Sequence, residues 1–165
     1  AELNALNLNG SSVEQGVTEL IGKTGEKMEL AGYEFISAES VAAYNHMGNK
    51  LATILGLNKT GAEDAGHQLA MQVAAMNPVA VDKDEVPQDV IEKEIEIGKD
   101  QARQEGKPEA ILEKIAMGKL NKFFKDNTLL NQDFVRDTKI SVAQFLKNTD
   151  AELKVTGFKR LMLGA

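Results

Sequence analysis

The chain has 165 residues, about one domain's worth, with 19 Lys and Arg against 25 Asp and Glu for a formal net charge of −6, and 42% hydrophobic residues. It has no cysteine, which excludes a disulfide framework and any thiolate-bound metal. The acidic balance argues against direct nucleic-acid binding, which needs clustered Lys and Arg to displace counterions from phosphates. No apolar run approaches the ~20 residues of a membrane span. The opening Ala1-Glu2-Leu3-Asn4 has neither the basic nor the apolar segment of a secretory leader, so Ala1 reads as a processing boundary and a cytoplasmic location is expected.

Residues 1–10 give little signal. Ser11-Ser12-Val13-Glu14 has the Ser-x-x-Glu spacing of a capping box, and Val13, Val17, Leu20 and Ile21 then recur at helical spacing until Gly22 and Gly25. Met28 to Ser37, with Leu30, Tyr33, Phe35 and Ile36, reads as a strand. Ser40–His46 and Lys50–Leu57 read as a β-hairpin linked through Met47-Gly48-Asn49. Ala65, Leu69, Val73 and Met76 mark one face of a helix over 62–76 that ends at Asn77-Pro78, since proline disfavours helix in the residue before it. Core packing is also the expected use of Met71 and Met76.

The composition then changes. Pro87 opens a charged helix to about Glu105, Gly106-Lys107-Pro108 breaks it, and a second helix runs to about Phe124. Val90, Ile91, Ile95 and Ala102 form the stripe of the first arm; Ile111, Leu112, Ile115, Leu120, Phe123 and Phe124 form that of the second. The arms are oppositely charged, the first net negative and the second net positive, which favours an antiparallel hairpin rooted on a core. Its tip, from Gly98 to Glu109, has little to bury. A loop at Leu129-Leu130, a short helix with Val142, Phe145 and Leu146, and a last strand from about Leu153 to Leu163 complete the chain. The expected fold is α+β: an antiparallel sheet with packed helices and an inserted antiparallel coiled-coil hairpin. Residues 1–38 read as the end of a first subdomain, 39–81 with 127–165 as a second, and 82–126 as the insertion.

The chemical inventory is thin. His46 and His67 are the only histidines, with no His-Glu-x-x-His spacing; His67 and Asp64, three apart, suggest an exposed ion pair rather than a cation site. Gly56 to Gly61 has the outer glycines of a phosphate loop but offers Ala62-Glu63 where Lys and Ser or Thr belong, so it reads as a strand-to-helix turn. No metal or cofactor is expected. His46, beside Tyr44 and Met47 at a hairpin end, is the polar aromatic best placed to meet a partner.

The order of the pieces carries more. Ser40-Val41-Ala42-Ala43-Tyr44-Asn45-His46, Leu69 to Pro78, Val90-Ile91-Glu92-Lys93-Glu94, Gly106-Lys107-Pro108, Gln132-Asp133-Phe134-Val135 and Val155-Thr156-Gly157-Phe158 together resemble the C-terminal, dimerisation part of the bacterial elongation factor Ts family. The resemblance implies a guanine nucleotide exchange factor without covalent chemistry, whose partner is the GTPase elongation factor Tu. It implies partner contacts at Ile21-Gly22, at His46, at Val135-Arg136 and, on the hairpin tip, at Lys107. Arg136 stands where the family pattern has an apolar residue. The Thr-Asp-Phe-Val motif that the family places near the Mg²⁺ site of its partner does not occur here. The expectation is therefore a docking part, with homodimerisation through the hairpin or through an exposed edge of the 28–37 strand as the alternative.

Overall fold

The computed structural model describes residues 2–164, which form two compact units divided between Glu34 and Phe35. The first holds α1 (Glu2–Ala5), β1 (Asn7–Leu8), β2 (Ser11–Ser12) and α2 (Val13–Thr24). Asn9 and Gly10 both take positive φ, 56° and 97°, the pair of left-handed residues that a tight hairpin turn demands. They join β1 to β2, with Leu8 opposite Ser11 and Asn7 opposite Ser12. Because Ser12 is extended, the capping box falls one residue later than the sequence suggests. Its hydroxyl accepts from Gln15 N and the Gln15 side chain accepts from Ser12 N, so Gln15 does the work expected of Glu14. α2 ends on Gly25, φ 72°, whose N–H bonds Ile21 O.

The strand expected over 28–37 does not form: residues 25–37 contain neither helix nor strand. The side chains at the end of this segment pack on the sheet instead. Ile36 and Ala38 close over Gly56, where an added Cβ would sit 3.2 Å from Ile36 Cδ1 and 2.8 Å from Ala38 Cβ.

Beyond residue 39 the order is β3 (Ser40–Asn45), β4 (Leu51–Leu57), α3 (Glu63–Met76), α4 (Gln88–Gln104), α5 (Glu109–Asn127), β5 (Asp133–Phe134), β6 (Asp137–Ser141), α6 (Val142–Thr149) and β7 (Val155–Met162). β3, β4 and β7 make an antiparallel sheet in that order, with Tyr44 opposite Thr53 and Thr53 opposite Arg160. The architecture is α+β, with sheet strands on both sides of the α4–α5 insertion.

α3 lies across one face of the sheet. It comes close because Gly66 has no side chain: a Cβ there would fall 2.9 Å from Ala42 Cβ and 3.1 Å from Leu57 Cδ1. The Thr53 hydroxyl, buried in β4, donates to Ala70 O at 2.8 Å, which satisfies a polar group in the middle of the core. Leu55, Leu57, Leu69, Val73, Leu129 and Val142 are fully buried around it, and Phe134 stacks on Phe145 at 4.2 Å. Met71 is half-buried but Met76 is 42% exposed, one turn beyond the apolar face that Val73 ends.

The helices α4 and α5 pack antiparallel on one another. The seam runs further toward the tip than large apolar side chains alone would suggest, because it is built of small residues. Gly98 and Ala102 of α4 and Leu112 and Ala116 of α5 are buried, and a Cβ on Gly98 would stand 3.1 Å from Ala116 Cα. Ile111, expected in the seam, is 42% exposed. Across the arms Lys99 pairs with Glu113, Lys119 with Glu105 at 3.5 Å, and Arg103 Nε with Glu109 at 2.9 Å. The expected attraction between the arms thus takes the form of specific, mostly exposed pairs, each worth little by itself.

Candidate functional site

The sequence-predicted contact residues sit at exposed ends of elements. Ile21 is half-buried and Gly22 exposed in the last turns of α2, in the first unit. Lys107 follows the turn after α4, where Gly106 N bonds Arg103 O and Lys107 N bonds Ala102 O. That paired closure, with Gly106 at φ 74°, is a Schellman cap, and it fixes the backbone from which the Lys107 side chain reaches into solvent.

His46 lies just past β3, its N–H bonded to Leu51 O at 2.8 Å. The chain reverses there through Gly48 and Asn49, both at positive φ. The Tyr44 hydroxyl is 2.8 Å from His46 Nδ1 and donates when that nitrogen is unprotonated. Tyr44 also meets His67 of α3 edge-on, with ring centres 5.7 Å apart. His67 Nδ1 lies 3.2 Å from Ala43 O; a carbonyl only accepts, so that nitrogen carries the proton. The ion pair expected between His67 and Asp64 is absent, since Asp64 accepts instead from Gln68 at 2.7 Å. Both histidines and Tyr44 therefore form one aromatic group toward the turn end of the β3–β4 hairpin, with Met47 almost fully exposed beside it.

Val135 and Arg136 occupy the tight turn between β5 and β6 and are exposed, while the preceding Phe134 is buried. The turn is held from below by Gln72 of α3, which is fully buried. Gln72 Oε1 accepts from Val135 N at 2.8 Å, and its Nε2 donates to Gln132 Oε1 at 3.1 Å and to Asp133 O at 3.2 Å. Gln132, also buried, donates in turn to Asp126 O at 3.0 Å. Among the described buried side chains no polar atom lacks a partner. Sequence reading missed Gln72. The available signal was an amide inside the apolar run Leu69 to Met76, which in a buried face must have partners.

α3 thus touches both presented turns, through His67 to Tyr44 and through Gln72 to Val135. Lys107 stands apart at the hairpin tip. Where the ionisable groups are perturbed, the cause is local pairing: Lys59 holds the Asp150 carboxyl below its ordinary value at 2.7 Å, and the N–H groups of Glu63 itself and Gly61 do the same for Glu63. Among the described residues no three His, Asp or Glu side chains gather as metal ligands, and no helix is long and apolar enough to cross a membrane. Gly56 to Gly61 is a strand-to-helix turn in which Asn58 bridges to Glu152 O and Lys154 N.

The fold is that of an α+β protein with a helical-hairpin insertion and exposed side chains on its turns. Over residues 1–165 the sequence matches the family model described as Elongation factor TS. It is 52% identical to the elongation factor Ts of Amoebophilus asiaticus, over 99% of this chain and 60% of that protein. It is 51% identical to that of Cytophaga hutchinsonii, over 98% and 60%, and 48% identical to that of Flavobacterium psychrophilum, over 99% and 60%. The chain belongs to the elongation factor Ts family, and it spans about 60% of the length of these relatives.

Proposed function

We propose that this stretch is the docking part of a guanine nucleotide exchange factor, that it binds the translational GTPase elongation factor Tu in the cytoplasm, and that it performs no covalent chemistry. The observation that carries the reading is the family match along the whole chain. His46, Val135 and Arg136 supply the contact surface on the body, Lys107 supplies a contact from the hairpin tip, and Ile21 and Gly22 add a third point. The parts played by residues 1–38, by 39–81 with 127–165, and by the 82–126 insertion divide along those lines. An exchange factor works by binding the empty GTPase more tightly than the loaded one. The Thr-Asp-Phe-Val motif is not among these residues, so docking rather than displacement of Mg²⁺ is the share assigned to them.

Calorimetric titration into elongation factor Tu, GDP-loaded and nucleotide-free, tests this. Binding to both forms with affinities within about tenfold, or 1.4 kcal/mol of coupling, is expected of a docking part. A larger preference for the empty form assigns exchange work to these residues, and no binding to either form refutes the proposal.

One observation favours self-association as a second reading. The sheet face opposite α3 carries Val41 and Leu161, 47% and 44% exposed, and such a face is a place for a second copy to pack. Sedimentation equilibrium of the chain with Val41→Lys and Leu161→Lys would abolish a dimer formed there and leave a monomer unchanged.

A further inference from the structure

The β5–β6 turn has two exposed residues on a backbone that its own strands hardly secure. β5 is two residues long, and its ladder with β6 slips register between Asp133 and Phe134. A two-residue strand next to such an irregularity does not fix a turn by itself. Beside the Phe134 ring, which is buried against Phe145, the turn is tied to α3. Gln72 has no solvent exposure, and it uses both ends of its amide on consecutive parts of the turn's entry: Oε1 on Val135 N, Nε2 on Asp133 O and on Gln132 Oε1. The Gln132 amide then ties the same segment to Asp126 O at the end of α5, and Val142 N bonds Gln132 O. An amide is suited to this task because it accepts and donates at once without charge. An apolar side chain of equal length would leave Val135 N–H without the acceptor that holds it in place.

We propose that Gln72 is a positioning residue for partner docking: through the Val135 amide it sets the pose in which Val135 and Arg136 are presented, without touching the partner itself. The inference rests on the docking function proposed above. The same helix supports the His46 turn through the His67–Tyr44 ring contact. α3 therefore fixes the two presented turns relative to one another, and Gln72 is the link on the Val135 side.

The test is a double-mutant cycle read in affinity for elongation factor Tu, with Gln72→Met, Val135→Ala and both together, alongside amide hydrogen exchange of Val135 in each protein. Gln72→Met should weaken binding about tenfold and speed Val135 N–H exchange by a similar factor while the amides of β4 keep their protection. Val135→Ala in the Gln72→Met background should then cost much less than it does alone, because a misplaced side chain has little contact left to lose. Losses that multiply instead, or a Val135 amide that exchanges equally fast with and without Gln72, would overturn the assignment. A folding defect is bypassed by the unaltered chain alone: its Val135 amide, on an exposed residue, should exchange slowly, and free exchange would likewise overturn it. Should the unaltered chain fail to bind the GTPase, the docking proposal itself falls, an outcome distinct from binding with independent losses.

Discussion

Gly98→Val tests whether a missing side chain sets the spacing of the helical hairpin. The valine Cβ would stand 3.1 Å from Ala116 Cα and 3.2 Å from Ala116 Cβ, where ordinary contact begins near 3.4 Å. The obstacle is main chain and the first atom of a side chain, so no rotamer change relieves it, and the two further methyls must also be housed in the seam. Overpacking of this kind costs about 1–3 kcal/mol, and replacing glycine inside a helix returns only about 0.3–0.5 kcal/mol when the newcomer is β-branched. The expected net loss is about 1–2 kcal/mol, confined at first to the hairpin, because α4 packs chiefly on α5. If the arms part, Ala102 and Leu112, buried further along the seam, lose contact with them. Native-state hydrogen exchange should show amides of residues 94–120 opening about tenfold or more faster, since 1.4 kcal/mol is a factor of ten, with the β4 amides unchanged. Gly98→Ala is the control: helix propensity favours it by about 1 kcal/mol and its single carbon needs only a few tenths of an ångström, so its effect should be small. Unchanged arm protection in Gly98→Val would refute the reasoning and mean that the interhelical distance is not set at this point.

Ser12→Ala should destabilise α2 by about 1 kcal/mol, seen as loss of far-ultraviolet helix signal, while Ser11→Ala should stay within about 0.5 kcal/mol; the reverse order would put the cap where the sequence first suggests it. Asp150→Asn keeps the acceptor for Glu152 N but removes the charge facing Lys59. The native Asp150 carboxyl lies below its ordinary value of 3.8 and the Lys59 ammonium above 10.5, so the pair stabilises at pH values between those limits. The melting-temperature gap between native and Asp150→Asn proteins should close as pH falls below 3.8 through the native carboxyl's lowered value, and a gap that persists at the acid end would exclude the ion pair as its cause. His46→Ala should weaken binding to elongation factor Tu about five- to tenfold with a stability change within about 0.5 kcal/mol; equal loss of both would make His46 structural.

The elements legible in the sequence were those whose own residues dictate them. Helical spacing through Leu69 and Val73, the stop at Asn77-Pro78, and the break at Gly106-Lys107-Pro108 each reflect a local constraint, and each appears within a residue or two of where it is expected. The failures were non-local. Met28 to Ser37 has enough apolar residues for a strand, yet it is neither helix nor strand, and Ile36 is used to cover Gly56. The Gly98 seam is the opposite case. A glycine and two alanines offer little area to bury, so their contribution depends on how closely the helices approach, which no periodicity reveals.

The same distinction separates the two presented turns. The His46 turn could be located from its own sequence, because Gly48 and Asn49 supply positive φ and the flanking runs alternate. The Val135 turn could not be understood that way, since its support lies 63 residues earlier in the chain. One buried amide there replaces what a longer strand pairing would otherwise provide, and it does so from the helix that also backs Tyr44. Two turns backed by one helix in this manner are kept in register without large buried area between them. The arrangement also makes the register sensitive to single polar substitutions on that helix, far from any residue that would meet a partner.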